Sequence, residues 1–333
     1  MLTALEVLGA LLLLVVASDA FTNAVEWVGS LFSLTRSAVG AVVAGVGSSL
    51  PETMIAVVAL LYLRDPVSQA IGIGAVIGAP FMLSTVVLGL IGAIAVVRRG
   101  AGLRAVINAR GDIVNFGLAL FVLTFAFVIG ASFAPTPLVR IVASICVLAS
   151  YAAYLIYHFK HEGEESDASP PPLRIAPRTD RPAAPIVFAQ LAVALAVTVA
   201  ASRWFVTSAA AAATQLGVAP LLLSLFLSPI ATELPEMLNV VIWMRRGQDE
   251  LAIGNVLGAM LFQTSVASSI AMLATPWHVG ADVYAAAAAT AAAVIVLLAS
   301  TLARRRIEAL PLLWCGAFYA GFIIYVAAVA AHR

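Results

Sequence analysis

The stretch that decides the fold is residues 228–263, SPIATELPEMLNVVIWMRRGQDELAIGNVLGAMLFQ. It places two carboxylates, Glu233 and Glu236, beside Pro235 in a segment that otherwise has the composition of a membrane helix. A weaker copy occupies residues 45–83, GVGSSLPETMIAVVALLYLRDPVSQAIGIGAVIGAPFML. Two acidic, proline-broken segments in one apolar chain predict a cation site shared between two halves of the protein.

The composition is that of a polytopic membrane protein. The chain has 333 residues, of which 62% are hydrophobic and 11% charged, whereas a soluble domain carries roughly 25% charged residues. A net charge of +1 gives no indication of nucleic-acid binding. Cys146 and Cys315 lie in apolar runs and are expected to pack as small hydrophobic residues. The N-terminus, MLTALEV, has no basic region, so a cleaved signal peptide is not expected.

A membrane-spanning helix needs about 20 mostly apolar residues, and the chain contains ten such segments. Their approximate limits are 2–31, 37–63, 67–97, 113–133, 138–159, 184–216, 219–244, 251–273, 283–302 and 310–331. Residues 160–183 are rich in charge and proline, a composition that cannot bury enough apolar surface to fold. They are predicted to be a flexible linker between an N-terminal half, 1–159, and a C-terminal half, 184–333.

Basic residues predict the orientation, because cytoplasmic loops carry an excess of Lys and Arg. Counted from the N-terminus, the odd-numbered loops hold Arg36, Arg98, Arg99, Arg104, Arg110, Lys160, Arg174, Arg178, Arg181, Arg245, Arg246, Arg304, Arg305 and Arg306. The even-numbered loops and the two ends hold little beyond Arg64, Arg140 and Arg333. We therefore expect both termini outside and the linker in the cytoplasm.

Two halves of five helices each must lie in opposite orientations, which is the inverted repeat typical of secondary transporters. SSLPE, residues 48–52, matches TELPE, residues 232–236, at a shift of 184 residues. GAVIGA, residues 74–79, matches GNVLGA, residues 254–259, at a shift of 180. The predicted fold is therefore an all-α membrane protein of ten transmembrane helices, arranged as two inverted five-helix repeats.

Three glutamates, Glu52, Glu233 and Glu236, fall in the middle of their segments, where a carboxylate is costly and usually faces a cavity or pathway. The alternative is that they are protonated packing groups or partners of a buried arginine. The neighbouring prolines favour a ligand site, because a proline inside a helix frees the carbonyl oxygen four residues earlier. Pro51 and Pro235 would each free one such oxygen.

Each half thus offers a carboxylate, a freed carbonyl and one or more hydroxyl groups within one helical turn. The hydroxyl groups belong to Ser48, Ser49 and Thr232. Hard oxygen ligands of this kind suit Ca²⁺, which takes 6–8 oxygens, and do not suit thiophilic metals. Because three neighbouring carboxylates cannot all ionise without a cation, proton binding is expected when the site is empty.

The helix that follows the acidic segment adds further polar groups in the second half only. Asn255, Ala259 and Gln263 recur every four residues and therefore share one helix face. The equivalent positions of the first half carry no side-chain ligand: they are Ala75, Ala79 and Leu83. The predicted site is therefore chemically lopsided.

Two further charges, Asp19 and Arg203, occupy equivalent positions 184 residues apart in the first and sixth segments. An ion pair across the pseudo-twofold axis is one interpretation. The other, which we favour, is that each side chain ends near a water interface. The four histidines lie near predicted loops or ends and show no metal-ligand spacing: they are His158, His161, His278 and His332.

SSLPE with GIGAVIGA, and ATELPE with GNVLGAMLF, resemble the two α-repeats of the cation/Ca²⁺ antiporter superfamily, which includes the sodium/calcium exchangers. The family pattern is roughly G-T-S-L-P-E followed by G-N-x-x-G-S-N. The repeats cover residues 45–83 and 228–263, about a quarter of the chain by their strong motifs, and the five-plus-five layout extends the resemblance over nearly all of it. The resemblance implies a sodium/calcium exchanger-like fold of a divergent prokaryotic type, placed in a bacterial inner membrane.

The resemblance also implies a ligand set. The two central glutamates of the family, which bind Ca²⁺ and are shared with Na⁺, fall on Glu52 and Glu236. The remaining ligand positions fall on Ser48, Ser49, Thr232, Glu233, Gly45, Pro229, Asn255 and Gln263. Glu233 stands where a serine is usual, the serines of the G-S step become Ala79 and Ala259, and an acid or amide position becomes Leu83.

We expect a secondary antiporter that exchanges Ca²⁺ for Na⁺ by alternating access, with the first and sixth helices sliding across a midplane site. The alternative is an antiporter of the same fold that exchanges Ca²⁺, or another divalent cation, for H⁺, favoured by the crowded acids and the missing Na⁺ ligands. The chain lacks HExxH, GxSxG and DDxxD motifs, so an enzyme is not expected, nor is a cofactor. The expected partners are the lipid bilayer and small cations, with no nucleic acid.

Overall fold

The computed structural model describes residues 2–32, 49–99, 102–161, 171–179 and 181–331, and nearly all of them are helical. The helices of the first half are α1 (Leu2–Leu31), α2 (Leu50–Val57), α3 (Pro66–Met82), α4 (Leu88–Arg99), α5 (Gly111–Phe133) and α6 (Pro137–His161). Those of the second half are α7 (Ala184–Leu216), α8 (Pro220–Thr232), α9 (Leu234–Arg246), α10 (Asp249–Phe262), α11 (Ser268–Ala274), α12 (Ala281–Arg304) and α13 (Ala309–Ala331).

Short π-helical turns join some of these helices. Val58–Leu63 extends α2, Leu83–Val87 joins α3 to α4, and Gln263–Ala267 joins α10 to α11. A 3₁₀ turn, Gly102–Arg104, follows α4. The second and third π turns lie 180 residues apart, the same shift that relates GAVIGA to GNVLGA. The two repeats therefore share a backbone irregularity as well as a sequence motif.

The membrane segments follow the predicted order. Among the described residues, eight helical stretches are long and apolar enough to cross a membrane: Thr3–Leu31, Pro66–Arg98, Gly111–Phe133, Pro137–Tyr157, Ala184–Leu216, Asp249–Ala274, Ala281–Arg304 and Ala309–Val329. Two shorter apolar helices, Leu50–Leu63 and Pro220–Ile230, lie where the second and seventh segments were predicted. The prediction of an all-α membrane protein with ten segments is confirmed.

The seventh predicted segment is not one continuous helix, and this corrects the expectation of a proline inside a helix. α8 ends at Thr232 and α9 begins at Leu234, so Pro235 lies in the first turn of α9. Pro51 likewise lies in the first turn of α2. A proline is tolerated in a first turn because the backbone N–H groups there have no partner inside the helix. Both prolines therefore start helices.

Contacts between loops support the predicted alternation of faces. β1 (Val106–Ile107) pairs with the antiparallel β2 (Ile307–Glu308) and joins the third loop to the ninth. Arg98, at the end of α4, donates to the carbonyl of Met244 at the end of α9. On the other face, Arg140 donates to the carbonyl of Met272 at 3.1 Å, joining the fourth loop to the eighth. Odd-numbered loops thus meet odd ones and even meet even.

The two halves interleave at the centre of the bundle. α3 of the first half packs closely against α8 of the second. The contact depends on glycine, because a Cβ added at Gly74 or Gly78 would lie 2.5 Å from the carbonyl oxygen of Leu221 or Leu225, respectively. Small residues of this kind let transmembrane helices approach until their backbones touch. This packing brings the start of α9 toward the first half.

The segment predicted to be a flexible linker is ordered in part. Between Pro171 and Ala176 the chain packs against α1 and α7, and Leu173 is fully buried. The composition argument missed this because one leucine and a few backbone groups are enough to dock a short extended segment.

Candidate functional site

The site is built where two helices begin in the middle of the bundle. Glu52 lies in the first turn of α2 and Glu236 in the first turn of α9. Both side chains are buried, with 1% and 0% of their surface exposed. The N-terminus of a helix carries a partial positive charge, which stabilises a nearby carboxylate. The Leu-Pro-Glu sequence therefore starts each helix and places an acid at its positive end.

Glu233 connects the two broken helices chemically. It is the residue before α9 and is fully buried. The side-chain amide of Gln263 donates to Glu233 Oε1 at 2.7 Å and to Ser49 Oγ at 3.1 Å. Ser49 belongs to the first repeat, whereas Glu233 and Gln263 belong to the second. This amide bridge, Ser49–Gln263–Glu233, is the contact that joins the two repeats at the site.

The three acids lie near one another. Glu52 and Glu236 interact electrostatically, and Glu233 interacts with both. Since all three are buried, their mutual repulsion is weakly screened. Protons or a cation must neutralise part of this charge. As it stands, no group of three His, Cys, Asp or Glu side chains in the described ranges forms a metal cage, so hydroxyl and carbonyl oxygens would have to complete a cation site.

The hydroxyl of Thr232 is placed to contribute such an oxygen. It is fully buried, and its proton is donated to the carbonyl of Ser228 at 2.8 Å, which leaves its lone pairs available. The carbonyl of Pro229 already accepts the backbone N–H of Glu233 at 2.9 Å. Pro229 therefore keeps one lone pair and is a weaker ligand than predicted. Gly45 and Ser48 lie outside the described residues.

Asn255 is not part of the amide bridge. It shares a face of α10 with Gln263 but lies eight residues earlier, about 12 Å along the helix axis at a rise of about 1.5 Å per residue. The equivalent first-half positions, Ala75, Ala79 and Leu83, are all buried and apolar. The predicted lopsidedness of polar groups is present, with Gln263 as its central residue.

Three hydroxyl-bearing residues of the second repeat were missed by the sequence argument. Ser228, Thr264 and Ser265 are fully buried, and their hydroxyl groups have no hydrogen-bond partner among the described residues. The first-repeat counterparts of the latter two, Ser84 and Thr85, donate instead to the carbonyl of Phe81. Their 180-residue spacing, equal to that of the glycine motif, could have identified the pair.

The interpretation of Asp19 and Arg203 as an ion pair is wrong. Asp19 pairs with Arg174 of the linker at 2.8 Å. Arg203 donates to the hydroxyl of Tyr62 at 3.1 Å and lies over its ring, 5.2 Å from the centroid. Each charge therefore has its own partner at the helix surface, as the other interpretation supposed.

The inverted helix repeats and the buried carboxylates at paired helix starts define a class, that of polytopic secondary transporters. The chain matches the family model described as sodium/calcium exchanger protein over residues 3–160 and 186–331. It therefore belongs to the sodium/calcium exchanger family, a family of exchangers and not of enzymes.

Two curated relatives cover most of the chain. The inner membrane protein YrbG of Escherichia coli (strain K12) is 24% identical over 286 residues, which is 85% of this chain and 83% of the relative. A protein of Alkalimonas amylolytica named "Putative antiporter CaxA" is 25% identical over 277 residues, 83% of this chain and 82% of the relative.

Solved structures show the same fold. The H⁺/Ca²⁺ exchanger CAX superposes with a TM-score of 0.76 at 17% identity, covering 98% of this chain and 82% of that one. The sodium–calcium exchanger NCX_Mj superposes with a TM-score of 0.59 at 19% identity, covering 98% of both chains.

Proposed function

We propose that the protein is a secondary antiporter that moves a divalent cation, Ca²⁺ in the first place, through a site formed by Glu52, Glu233 and Glu236. The observation that carries this proposal is the meeting of three buried carboxyl groups from both repeats. Buried charge of this density is costly unless a cation or protons neutralise it. A doubly charged ion with a preference for oxygen ligands suits such a site.

Protons are the counter-ion that the described site supports best. A proton needs only a carboxylate, whereas each Na⁺ needs several oxygen ligands of its own. The positions that would supply them are apolar here, since Ala79, Ala259 and Leu83 are fully or almost fully buried without a polar group. Exchange then consists of competition between Ca²⁺ and protons for the same carboxylates, which also makes the two ions bind alternately.

Sodium is the second candidate counter-ion. It is favoured by the family to which the chain belongs and by the retained Leu-Pro-Glu motifs at Glu52 and Glu236. Thr232, whose lone pairs remain available, is an oxygen ligand that Na⁺ could use.

The position in the membrane is part of the proposal. We place the protein in a bacterial inner membrane, as the name of the Escherichia coli relative supports, with both termini outside and residues 160–183 in the cytoplasm. The halves 1–159 and 184–333 are the proposed repeats, and alternating access exposes the midplane site to each side in turn.

The test is ion flux in proteoliposomes that contain the purified protein and a Ca²⁺-sensitive dye. Under the proton proposal, an imposed pH gradient drives Ca²⁺ uptake and a Na⁺ gradient at constant pH does not. The reverse result replaces H⁺ by Na⁺ as the counter-ion. If neither gradient drives flux of Ca²⁺, the choice of transported cation is wrong, and the same vesicles are then screened with other divalent cations.

A further inference from the structure

The linker between the two halves is anchored to two membrane helices. Residues 171–176, PPLRIA, run along the ends of α1 and α7 that lie on the odd-loop face, and we name them the strap. Leu173 is fully buried between Trp27 of α1 and Val187 of α7. The strap is therefore packed between the two helices, with an apolar anchor in contact with both.

Two buried side-chain amides hold the strap in register. Asn23 of α1 donates to the carbonyl of Pro171 at 3.2 Å and accepts the backbone N–H of Arg174 at 3.1 Å. Gln190 of α7 accepts the backbone N–H of Ile175 at 3.0 Å. Both amide side chains are almost fully buried, at 3% and 2% exposed. The backbone of the strap is read by one residue from each helix.

The same two amides also bind each other. Gln190 Nε2 donates to Asn23 Oδ1 at 3.0 Å and to the carbonyl of Ala20 at 2.8 Å. Trp27 adds a donor to the carbonyl of Pro171 at 2.9 Å. Strap, α1 and α7 thus share one hydrogen-bonded cluster, in which the loss of either amide leaves buried polar groups without partners. Such groups are costly in the membrane interior.

The position of α1 and α7 gives this cluster a consequence for transport. The two helices pack along each other, and in the described structure they touch the rest of the bundle mainly at α2, α3 and α8. α2 and α8 are the helices that border the acidic site. Any change in access to the site from this side requires α1 and α7 to shift over them, and independent shifts would expose the site from one helix at a time.

We propose that the strap locks α1 to α7, so that the two helices move over the broken helices as one body during transport. The proposal rests on the transport function proposed above. It assigns Asn23 and Gln190 a positioning role, since neither touches the acids, and it assigns the linker a mechanical task in place of a passive connection.

The first experiment measures strap release and transport together. In a Cys146→Ala/Cys315→Ala background, which has no other cysteine, Leu173→Cys reports the strap through its reaction with a soluble maleimide. Adding Asn23→Leu removes the amide at nearly constant volume. We expect the labelling rate to rise and the turnover to fall by about tenfold, the equivalent of one unsatisfied buried hydrogen-bonding group, while KM for the cation stays within about twofold.

The matched control is Arg174→Ala. It removes only the exposed ion pair to Asp19, whose side chains are 50% and 56% exposed, and it keeps the backbone bond to Asn23. Exposed pairs contribute little, so labelling and turnover should change by less than about twofold. A strap that is released by Asn23→Leu without loss of turnover would show that the lock has no role in transport, and continued protection of residue 173 would show that the amide cluster does not hold the strap.

A rescue separates coupling from general damage. Asn23→Cys with Gln190→Cys removes both amides, and a short bismaleimide can then join α1 to α7 directly. Restored turnover after cross-linking supports the lock, and cross-linked protein that stays slow contradicts it. If the unaltered protein shows no cation flux at all, the proposed function fails and not the strap, because labelling of residue 173 is measured independently of transport.

Discussion

Ser49 and Glu233 stand at equivalent positions of the two repeats and begin the two broken helices with nearly the same backbone, φ −89°, ψ 9° and φ −86°, ψ 0°. Such angles lie in a sparsely populated region that is common at functional sites. One side chain, that of Gln263, hydrogen-bonds to both. The pseudo-twofold relation is thus kept by the backbone, while the chemistry differs: a hydroxyl in one repeat and a carboxyl in the other.

Neutralising either central acid should stop transport. We expect Glu52→Gln and Glu236→Gln each to weaken cation binding by about thirtyfold or more, as removal of one buried charge from a charge pair costs about 2–5 kcal/mol. Flux in proteoliposomes measures the effect. Glu250→Gln, an exposed acid in the first turn of α10, is the control and should transport normally. Full transport by both site variants would exclude the proposed site.

Gln263→Leu tests the amide bridge by making the second repeat resemble the first, which has Leu83 at this position. Glu233 and Ser49 then lose their common donor, and a hydrogen bond to a charged group contributes about 1.5–3 kcal/mol. We expect KM for the cation to rise by about tenfold or more. Gln69→Leu removes an amide that donates only to the carbonyl of Arg64 in a loop, and should leave KM unchanged. Equal KM values in the two variants would mean that the bridge has no part in binding.

Much of the fold followed from sequence because hydropathy and charge act along the whole chain. Ten apolar segments, the uneven distribution of arginine between loops and the Leu-Pro-Glu motifs were enough for the inverted repeats. The break at Glu233 was placed inside a helix because sequence alone shows that Pro235 disturbs a helix, but not that a new helix starts there. That distinction depends on how α8 packs against α3.

The site was predictable in composition but not in its contacts. Glu52 and Glu236 stood out because acids are rare in membrane segments. The bridge from Gln263 to Ser49 joins residues 214 positions apart, a distance over which no local pattern operates. The strap was missed for another reason: Asp19, Asn23 and Trp27 form a polar stripe at four-residue spacing, yet only a partner segment gives that stripe a meaning.

The buried ion pair between Arg98 and Asp249 should be important for stability. It joins α4 to α10 at 3.0 Å, and the side chain of Asp249 is fully buried and also accepts the backbone N–H of Asn108. Removing one member of a buried pair costs about 3–5 kcal/mol, so Asp249→Asn should lower the melting temperature in detergent markedly. Asp112→Asn breaks an exposed pair with Arg110, worth about 0–1 kcal/mol. Similar melting temperatures for the two variants would contradict this.

Asp65 should make stability depend on acid pH. Its carboxylate caps α3 by accepting the backbone N–H groups of Val67 and Ser68, and the hydroxyl of Ser68 donates to it at 2.5 Å. These bonds, the hydroxyl first, lower the pKa of Asp65. A lowered pKa in the folded state contributes stability above the unfolded-state pKa of about 3.9 that is lost as pH falls through the folded value.

The Asp65→Ala variant should therefore melt below the unaltered protein at pH 7, by about 1 kcal/mol for a lost helix cap, and the difference should close below about pH 4. Asp65→Asn keeps a capping oxygen without a titrating proton. Its melting temperature relative to Asp65→Ala should not vary with pH. A difference between Asp65→Ala and the unaltered protein that persists at pH 3 would exclude titration of this cap.

The repeat supplies its own control for helix packing at the centre of the bundle. Gly74 and Gly254 are equivalent positions, but a Cβ at Gly74 would lie 2.5 Å from the carbonyl oxygen of Leu221, whereas a Cβ at Gly254 would meet no atom within 4 Å. Gly74→Ala must push α3 away from α8, at a cost of about 1–3 kcal/mol for overpacking. Gly254→Ala should be neutral or slightly stabilising, because alanine favours the helix over glycine by about 1 kcal/mol. Melting temperatures in one detergent compare the two directly, and Ca²⁺ flux should fall only in Gly74→Ala, since α8 leads into Glu233. Equal behaviour of the two variants would show that the two repeats pack alike at these glycines and that the approach of α3 to α8 is not needed to hold the site.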